Sequence, residues 1–310
     1  AIFGLLYSFV GGFYSIVMMA FFLAVTQSAI VPISDSIALN AVQKTKGDYG
    51  SIRLWGAVGF AIAVLIAGRM ADVLSLKIIF YVFSISLLLA LITTARLPKE
   101  SQSASVNLRA GFTRLIKIPR FMLFLVVTFL VFGPIYANNF YFGIYITDIG
   151  GTVTGVGIAF LLAAGSEAPF MRVAGAWIHR FGLMKIMLIA ASVGSFRWFL
   201  YFLDPPLAVV YVSTVAQGLS IGLFIPAALQ YVRDIAPVEV RATAVSLYSA
   251  VGNGLGAWFC TLIGGFVVEY YSVSSLYLLF GILTVLGISI IIVLGVMEKQ
   301  EASNAIRVYK

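Results

Sequence analysis

Only one cysteine and one histidine occur in the 310 residues, Cys260 and His179. That excludes a multi-ligand Cys/His zinc centre and a disulfide-built secreted scaffold, so no metal and no cofactor is expected. Charge is nearly as scarce. Asp, Glu, Lys and Arg make up 10% of the chain, against about a quarter in soluble domains. So few charges exclude intrinsic disorder and an ordinary cytosolic enzyme. An initiator methionine is also missing: the chain opens at Ala1 in apolar sequence, with no charged segment or cleavage site of a signal peptide. A chain lacking its beginning is expected.

What is present is apolar, with 61% hydrophobic residues and a mean hydropathy of +1.05. Uncharged runs of 27, 28, 27 and 28 residues follow Arg120, Asp204, Arg241 and Glu269. A helix of about 20 residues crosses the hydrocarbon of a bilayer, so each run is long enough to span it. The first 34 residues are uncharged too, too many for one span, and Gly11-Gly12 is expected to divide them. The pattern predicts a helical stump at 1–12. It then predicts nine spans, near 16–42, 53–72, 76–95, 119–146, 154–178, 185–203, 206–232, 241–268 and 273–296.

The connections alternate in chemistry. Lys44, Lys46, the cluster from Arg96 to Arg120, Arg180, Lys185, Arg233, Arg241, Lys299, Arg307 and Lys310 fall on one side, 15 of the 20 basic residues. The positive-inside rule places that side in the cytoplasm. The net charge of +8 is therefore a topology marker. Its dispersal over five loops leaves no basic stripe for nucleic acid.

One long polar connection, 95–120, divides the chain. Residues 1–95 are expected to belong to an N-terminal bundle, 96–118 to a cytoplasmic loop, 119–297 to a six-helix bundle and 298–310 to a cytoplasmic tail. Within the connection, Arg109, Arg114 and Lys117 lie beside Phe112, Leu115 and Ile116. Two readings stay open, a short interfacial amphipathic helix and a solvated linker. GAVGFAIAVLIAG at 56–68 is echoed by SAVGNGLGAWFCTLIGG at 249–265, as two homologous halves of a transporter would be.

Ionisable residues inside spans cost about 2.5–3.5 kcal/mol each at a helix centre and mark substrate or proton pathways unless they pair or snorkel. Asp35, Arg53, Glu167, Arg172 and Arg197 are the candidates. Snorkelling or pairing near the cytoplasmic surface suits Arg172. Asp35 and Arg53 stand equally far from residue 44, so an antiparallel helical hairpin would place them at one depth. An opposed carboxylate and guanidinium can hold a polar solute, and a carboxylate withdrawn from water can hold a proton. Asn138 and Asn139, with Tyr136, Tyr141 and Tyr145, read either as a polar cavity wall or as interhelical hydrogen bonding. Gln217 and Ser220 share one helix face and are candidates for the same wall. The glycines at 252–256 and 264–265 read as close helix packing, since no strand precedes them and no Lys-Ser/Thr follows.

PISDSIALNAVQKTKGDYGSIRLWGAVGFAIA (32–63), AGAWIHRFGLMK (174–185) and PVEVRATAVSLYSAVGNGLG (237–256) resemble the major facilitator superfamily. The resemblance covers essentially the whole chain and is greatest to the branch of lactose permease and the phenylpropionate permeases, whose YGxIRLWGSxGF signature the first block follows. It implies an all-α membrane fold of two pseudo-symmetric six-helix bundles, here without about the first two and a half helices. It implies substrate binding by Asp35 and Arg53, matching a sugar-binding carboxylate–arginine pair, and by Phe60, in the place of a stacking tryptophan. Arg197 matches an arginine of the proton-coupling region. Gln217 stands where that branch has a histidine, and Ser220 where it has a proton-carrying glutamate. Glu167, in AGSEAP, is then the remaining proton carrier of the second half. The 174–185 block varies the family's G-x-x-x-D-R-x-G loop, with His179 in the acidic position, and gives Gly175, His179, Arg180, Gly182 and Lys185 as gating residues.

The expectation is a secondary active transporter working by alternating access, with Asp35, Arg53, Phe60, Asn138, Asn139 and Gln217 binding substrate. Protons carried by Glu167 and Asp35 would drive it, with Arg197 assisting. Its substrate would be an aromatic acid, a nucleoside or a saccharide, and the protein a multi-pass monomer of a bacterial cytoplasmic membrane. The alternative is a polytopic membrane sensor or enzyme. No H-E-x-x-H, P-loop or paired-Asp motif favours it.

Overall fold

In lipid every backbone N–H and C=O must be satisfied within the segment, and uncharged runs of this length therefore close into helices. The computed structural model describes residues 1–28, 30, 34, 37, 49–95 and 108–308, and among these the regular structure is helical throughout. The helices are α1 (Ile2–Tyr7), α2 (Phe13–Gln27), α3 (Tyr49–Val73), α4 (Ile78–Thr94), α5 (Leu108–Leu115), α6 (Pro119–Asp148), α7 (Val153–Phe181), α8 (Leu183–Phe202), α9 (Leu207–Ile235), α10 (Arg241–Ser249), α11 (Ala257–Tyr270) and α12 (Val273–Val308). A π-helical segment, Ala250–Gly256, joins α10 to α11 as one continuous span. Six helical segments among the described residues, from Pro119 onward, are long and apolar enough to cross a membrane.

Gly12, at φ +92°, separates α1 from α2, at the break the Gly11-Gly12 pair predicts. Of the expected 16–42 span, the helix Phe13–Gln27 is described and residues 30, 34 and 37 are also helical, while Asp35 and Pro32 lie outside the described residues. The connection at 96–118 carries α5. Its Leu115 is fully buried and its Gly111 lies against Thr243, where a Cβ would come within 2.7 Å of Oγ1. Arg114 adds an exposed 3.4 Å ion pair to Glu239.

The chain forms two units. One comprises Ala1–Ala104 and Thr152–Leu161, the other Ser105–Gly151 and Leu162–Lys310. In the first, α1 packs on α4, with Gly4 against Phe83 and the Ser84 hydroxyl donating to the Ala1 carbonyl at 3.1 Å. Also in this unit, Asp72 at the end of α3 accepts the Val153 and Thr154 N–H groups at 3.0 and 2.7 Å. Its carboxylate thereby satisfies two of the donors that the start of α7 leaves open. The helices approach closely there: a Cβ on Gly157 would meet the Val64 carbonyl oxygen at 3.0 Å.

In the second unit α8 packs against α9 and α12, and α6 against α12 and the π segment. Lipid supplies little hydrophobic drive between helices, so dispersion and close backbone approach carry the packing. Two glycine contacts make that approach possible. Gly256 meets Gly133 backbone to backbone, and Gly218 and Gly222 of α9 lie against the α7 backbone around Glu167.

Candidate functional site

The polar residues of the second unit's spans fall into two groups, one closed and one open. The closed group lies where α6, α8, α9 and α12 meet. Arg197, on α8, is 2% exposed. Its guanidinium donates to the Gln217 side-chain oxygen on α9 and lies over the Trp198 and Tyr201 rings, 4.4 and 5.3 Å from their centroids. A cation withdrawn from water gains from the negative faces of aromatic rings, and here two supply them. Trp198 stacks on Tyr277, whose hydroxyl donates to Asn138 Oδ1 at 3.1 Å. Tyr145 completes the cluster, its hydroxyl donating to the Tyr201 carbonyl at 3.0 Å. Asn138 is fully buried.

The open group lies along the seam of α6 with the π segment and α11. Tyr136, Asn139 and Phe140 on one side face Asn253, Gly254, Ala257, Trp258, Thr261 and Leu262 on the other, around a cavity of about 550 Å³. Asn139 and Asn253 are exposed, and Trp258 is 61% exposed. A helical turn rotates neighbouring residues by about 100°, so Asn138 and Asn139, adjacent in sequence, part between the two groups.

The structure brings together three of the residues singled out by sequence: Arg197 with Gln217, and Asn138 in the same buried aromatic cluster. Gln217 and Ser220 do share a face. That face is packed on α8, where the Ser220 hydroxyl donates to the Ala190 carbonyl at 2.7 Å. Glu167 is partly buried on α7, beside the seam where Gly218 meets its backbone nitrogen. Phe60, half exposed in the first unit, meets Phe160 edge to face at 6.1 Å. The backbone of Arg53 belongs to α3, and its side chain lies outside the described residues. Arg172 is exposed.

Among the gating candidates, His179 and Arg180 occupy the last turn of α7, and Arg180 lies 5.3 Å from the Phe181 ring centroid. Positive charge there complements the carbonyl end of the helix. Gly182, at φ +88°, turns the chain into α8, and Gly175 and Lys185 are exposed.

Sequence reading did not single out Asn253, Trp258 or Thr261 as site residues. One signal was available. Asn253 is the one polar side chain in the Gly-rich run 252–256. Gly252 and Gly256 do pack closely, against Phe132 and Gly133, while nothing lies within 4 Å of a Cβ on Gly254. The π turn separates the two roles.

Residues 1–279 match the MFS_1 like family. The maltose permease of Geobacillus stearothermophilus is 50% identical over 300 residues, 96% of this chain and 76% of the relative. The transporter YwbF of Bacillus subtilis (strain 168) is 41% identical over 301 residues, 97% of this chain and 75% of that protein. Among solved structures, the nucleoside transporter NupG (D323A mutant) superposes with a TM-score of 0.77 at 17% identity, covering 94% of this chain and 80% of that one. The last likeness is one of fold. With an all-helical membrane architecture, that fold and relatives that are transporters, the chain belongs to the MFS_1 like family of the major facilitator superfamily and is a multi-pass transporter of small solutes.

Proposed function

We propose that the protein is a proton-coupled symporter for a small saccharide, working by alternating access as a monomer in a bacterial cytoplasmic membrane. The observation that carries the substrate class is the 50% identity to a maltose permease along nearly the whole chain. Asp35, Arg53, Phe60, Asn138, Asn139 and Gln217 are the proposed substrate-binding residues. Asn138 and Gln217 lie within the packing of α6, α8, α9 and α12, whereas Asn139 is exposed.

Glu167 and Asp35 are the proposed proton carriers. A carboxylic acid crosses the low-dielectric span neutral when protonated and is held back when ionised. Protonation would precede sugar binding, and proton release would follow sugar release. Arg197 supplies a fixed positive charge bonded to Gln217. Gly175, His179, Arg180, Gly182 and Lys185 would set the cytoplasmic gate through the tight α7–α8 turn.

The test uses the full-length protein in proteoliposomes with an inward proton gradient and radiolabelled maltose. Maltose accumulates above its external concentration, and a protonophore abolishes the accumulation. Glu167→Gln loses accumulation while keeping maltose counterflow, because exchange needs no net proton movement. Undiminished accumulation in both Glu167→Gln and Asp35→Asn overturns the proton assignment.

A further inference from the structure

We propose that α5 is a membrane-surface anchor, which docks its exposed Phe112 and Ile116, with the basic residues beside them, on the anionic phospholipids of the cytoplasmic leaflet. The proposal is independent of which solute or ion the protein moves.

Position is the first observation. Leu115, the last residue of α5, stands four residues before Pro119, where the membrane span of α6 begins. Four residues reach at most about 14 Å, so this end of α5 is kept near the lipid headgroups. The body of the helix is tied to a second entry point. It packs on the 3-10 turn Val238–Val240 and on α10, which open the apolar span Val238–Tyr270. Gly111 lies against Thr243, and Arg114 pairs with Glu239. Two membrane entries, both on the side that carries the basic loops, therefore hold one short helix at the interface.

The second observation is an apolar strip that this packing does not use. Gly111 and Leu115 are buried, but Phe112 and Ile116, the next residue after each, are 47% and 41% exposed. The Ile116 N–H donates to the Phe112 carbonyl at 3.1 Å, which continues the helical register and sets the two side chains on one face. The boundary between headgroups and acyl chains buries such a pair, whereas water penalises it.

Charge is the third. Arg109, Arg114, Lys117 and Arg120 surround the strip in sequence, and no acidic residue occurs between Glu100 and Asp148. Lys117 is exposed, and so is Arg114 despite its ion pair. A solvated linker needs no apolar strip. Apolar residues flanked by a local excess of positive charge, held where a bilayer begins, complement an anionic leaflet.

The test uses the full-length protein carrying Phe112→Cys, labelled with bimane. Cys260 is buried, and wild-type protein treated identically supplies the background. The labelled protein is reconstituted in phosphatidylcholine vesicles, alone or with about 30% phosphatidylglycerol, and quenched with lipids that carry a nitroxide near the headgroup. The ratio of lipid-docked to free probe is expected to rise at least about fivefold with phosphatidylglycerol, the gain from one basic residue near an anionic leaflet. High salt removes that rise. Arg109→Gln combined with Lys117→Gln also removes it, while the Arg114–Glu239 pair is kept. Ile116→Cys, probed in the same way, is expected to match Phe112→Cys and keeps the test decisive where one substitution disturbs folding.

Equal quenching in the two membranes overturns the anionic-lipid assignment. Quenching in neither places the strip against water or protein and overturns the anchor. A rise that survives the double substitution overturns the role given to the flanking charges.

Discussion

Asn138 and Asn139 are neighbours of one residue type on one helix, and they meet opposite surroundings. Asn138 is sealed against Tyr277, within a cluster that also holds Arg197, Trp198, Tyr201 and Tyr145. Asn139 opens into a cavity with Asn253 and Trp258. The difference teaches how this family member uses polarity inside lipid. On one side polar groups bond one another and meet aromatic faces inside the helix packing, with Asn138 Nδ2, Arg197 Nε and Trp198 Nε1 left without a hydrogen-bond partner among the described residues. On the other they are exposed along a cavity.

The comparison can be broken by mutation, and the largest effect belongs to the closed side. Trp198→Ala removes a fully buried ring that touches Arg197, Tyr277 and Phe280. A loss of about 3–5 kcal/mol of stability is expected from a cavity of that size, read by denaturation in detergent micelles. Next comes Gly218→Ala. A Cβ there would approach the Glu167 nitrogen at 2.6 Å and the Ala163 oxygen at 2.8 Å, both of them backbone atoms. Helix α7 has to shift, at about 1–3 kcal/mol, and proton-driven accumulation is expected to suffer more than maltose binding.

The asparagine pair sharpens the comparison further. Asn138→Ala leaves the buried Tyr277 hydroxyl without its acceptor, and is expected to cost about 1–2 kcal/mol of stability. Asn139→Ala exposes nothing new, and its stability is expected to stay within about 0.5 kcal/mol of wild type while KM for maltose rises. Equal thermal shifts in the two variants would erase the distinction between the groups.

Much of the fold was legible because lipid imposes a coarse code of length and charge. The predicted spans 119–146, 185–203 and 206–232 correspond to Pro119–Asp148, Leu183–Phe202 and Leu207–Ile235. The site was less legible. Arg197 and Gln217 were flagged by their polarity and by the family resemblance, but their mutual hydrogen bond depends on how α8 and α9 are rotated, which a uniformly apolar helix does not reveal. Uniform hydrophobicity also hid the parting of Asn138 from Asn139. The π turn at 250–256 is invisible to any periodicity argument, since its glycines fit close packing as well as they fit a widened turn. The α7–α9 seam did carry a signal, the Gly218-x-x-x-Gly222 spacing, a pattern associated with close helix approach.

The central claim is that proton and saccharide move together, and simultaneous measurement of both fluxes tests it most directly. Maltose added outside proteoliposomes that hold the full-length protein and an internal pH dye should acidify the lumen at the rate of radiolabelled maltose entry, with no imposed gradient. Maltose entry without acidification would contradict the coupling, and neither flux would contradict the saccharide reading itself.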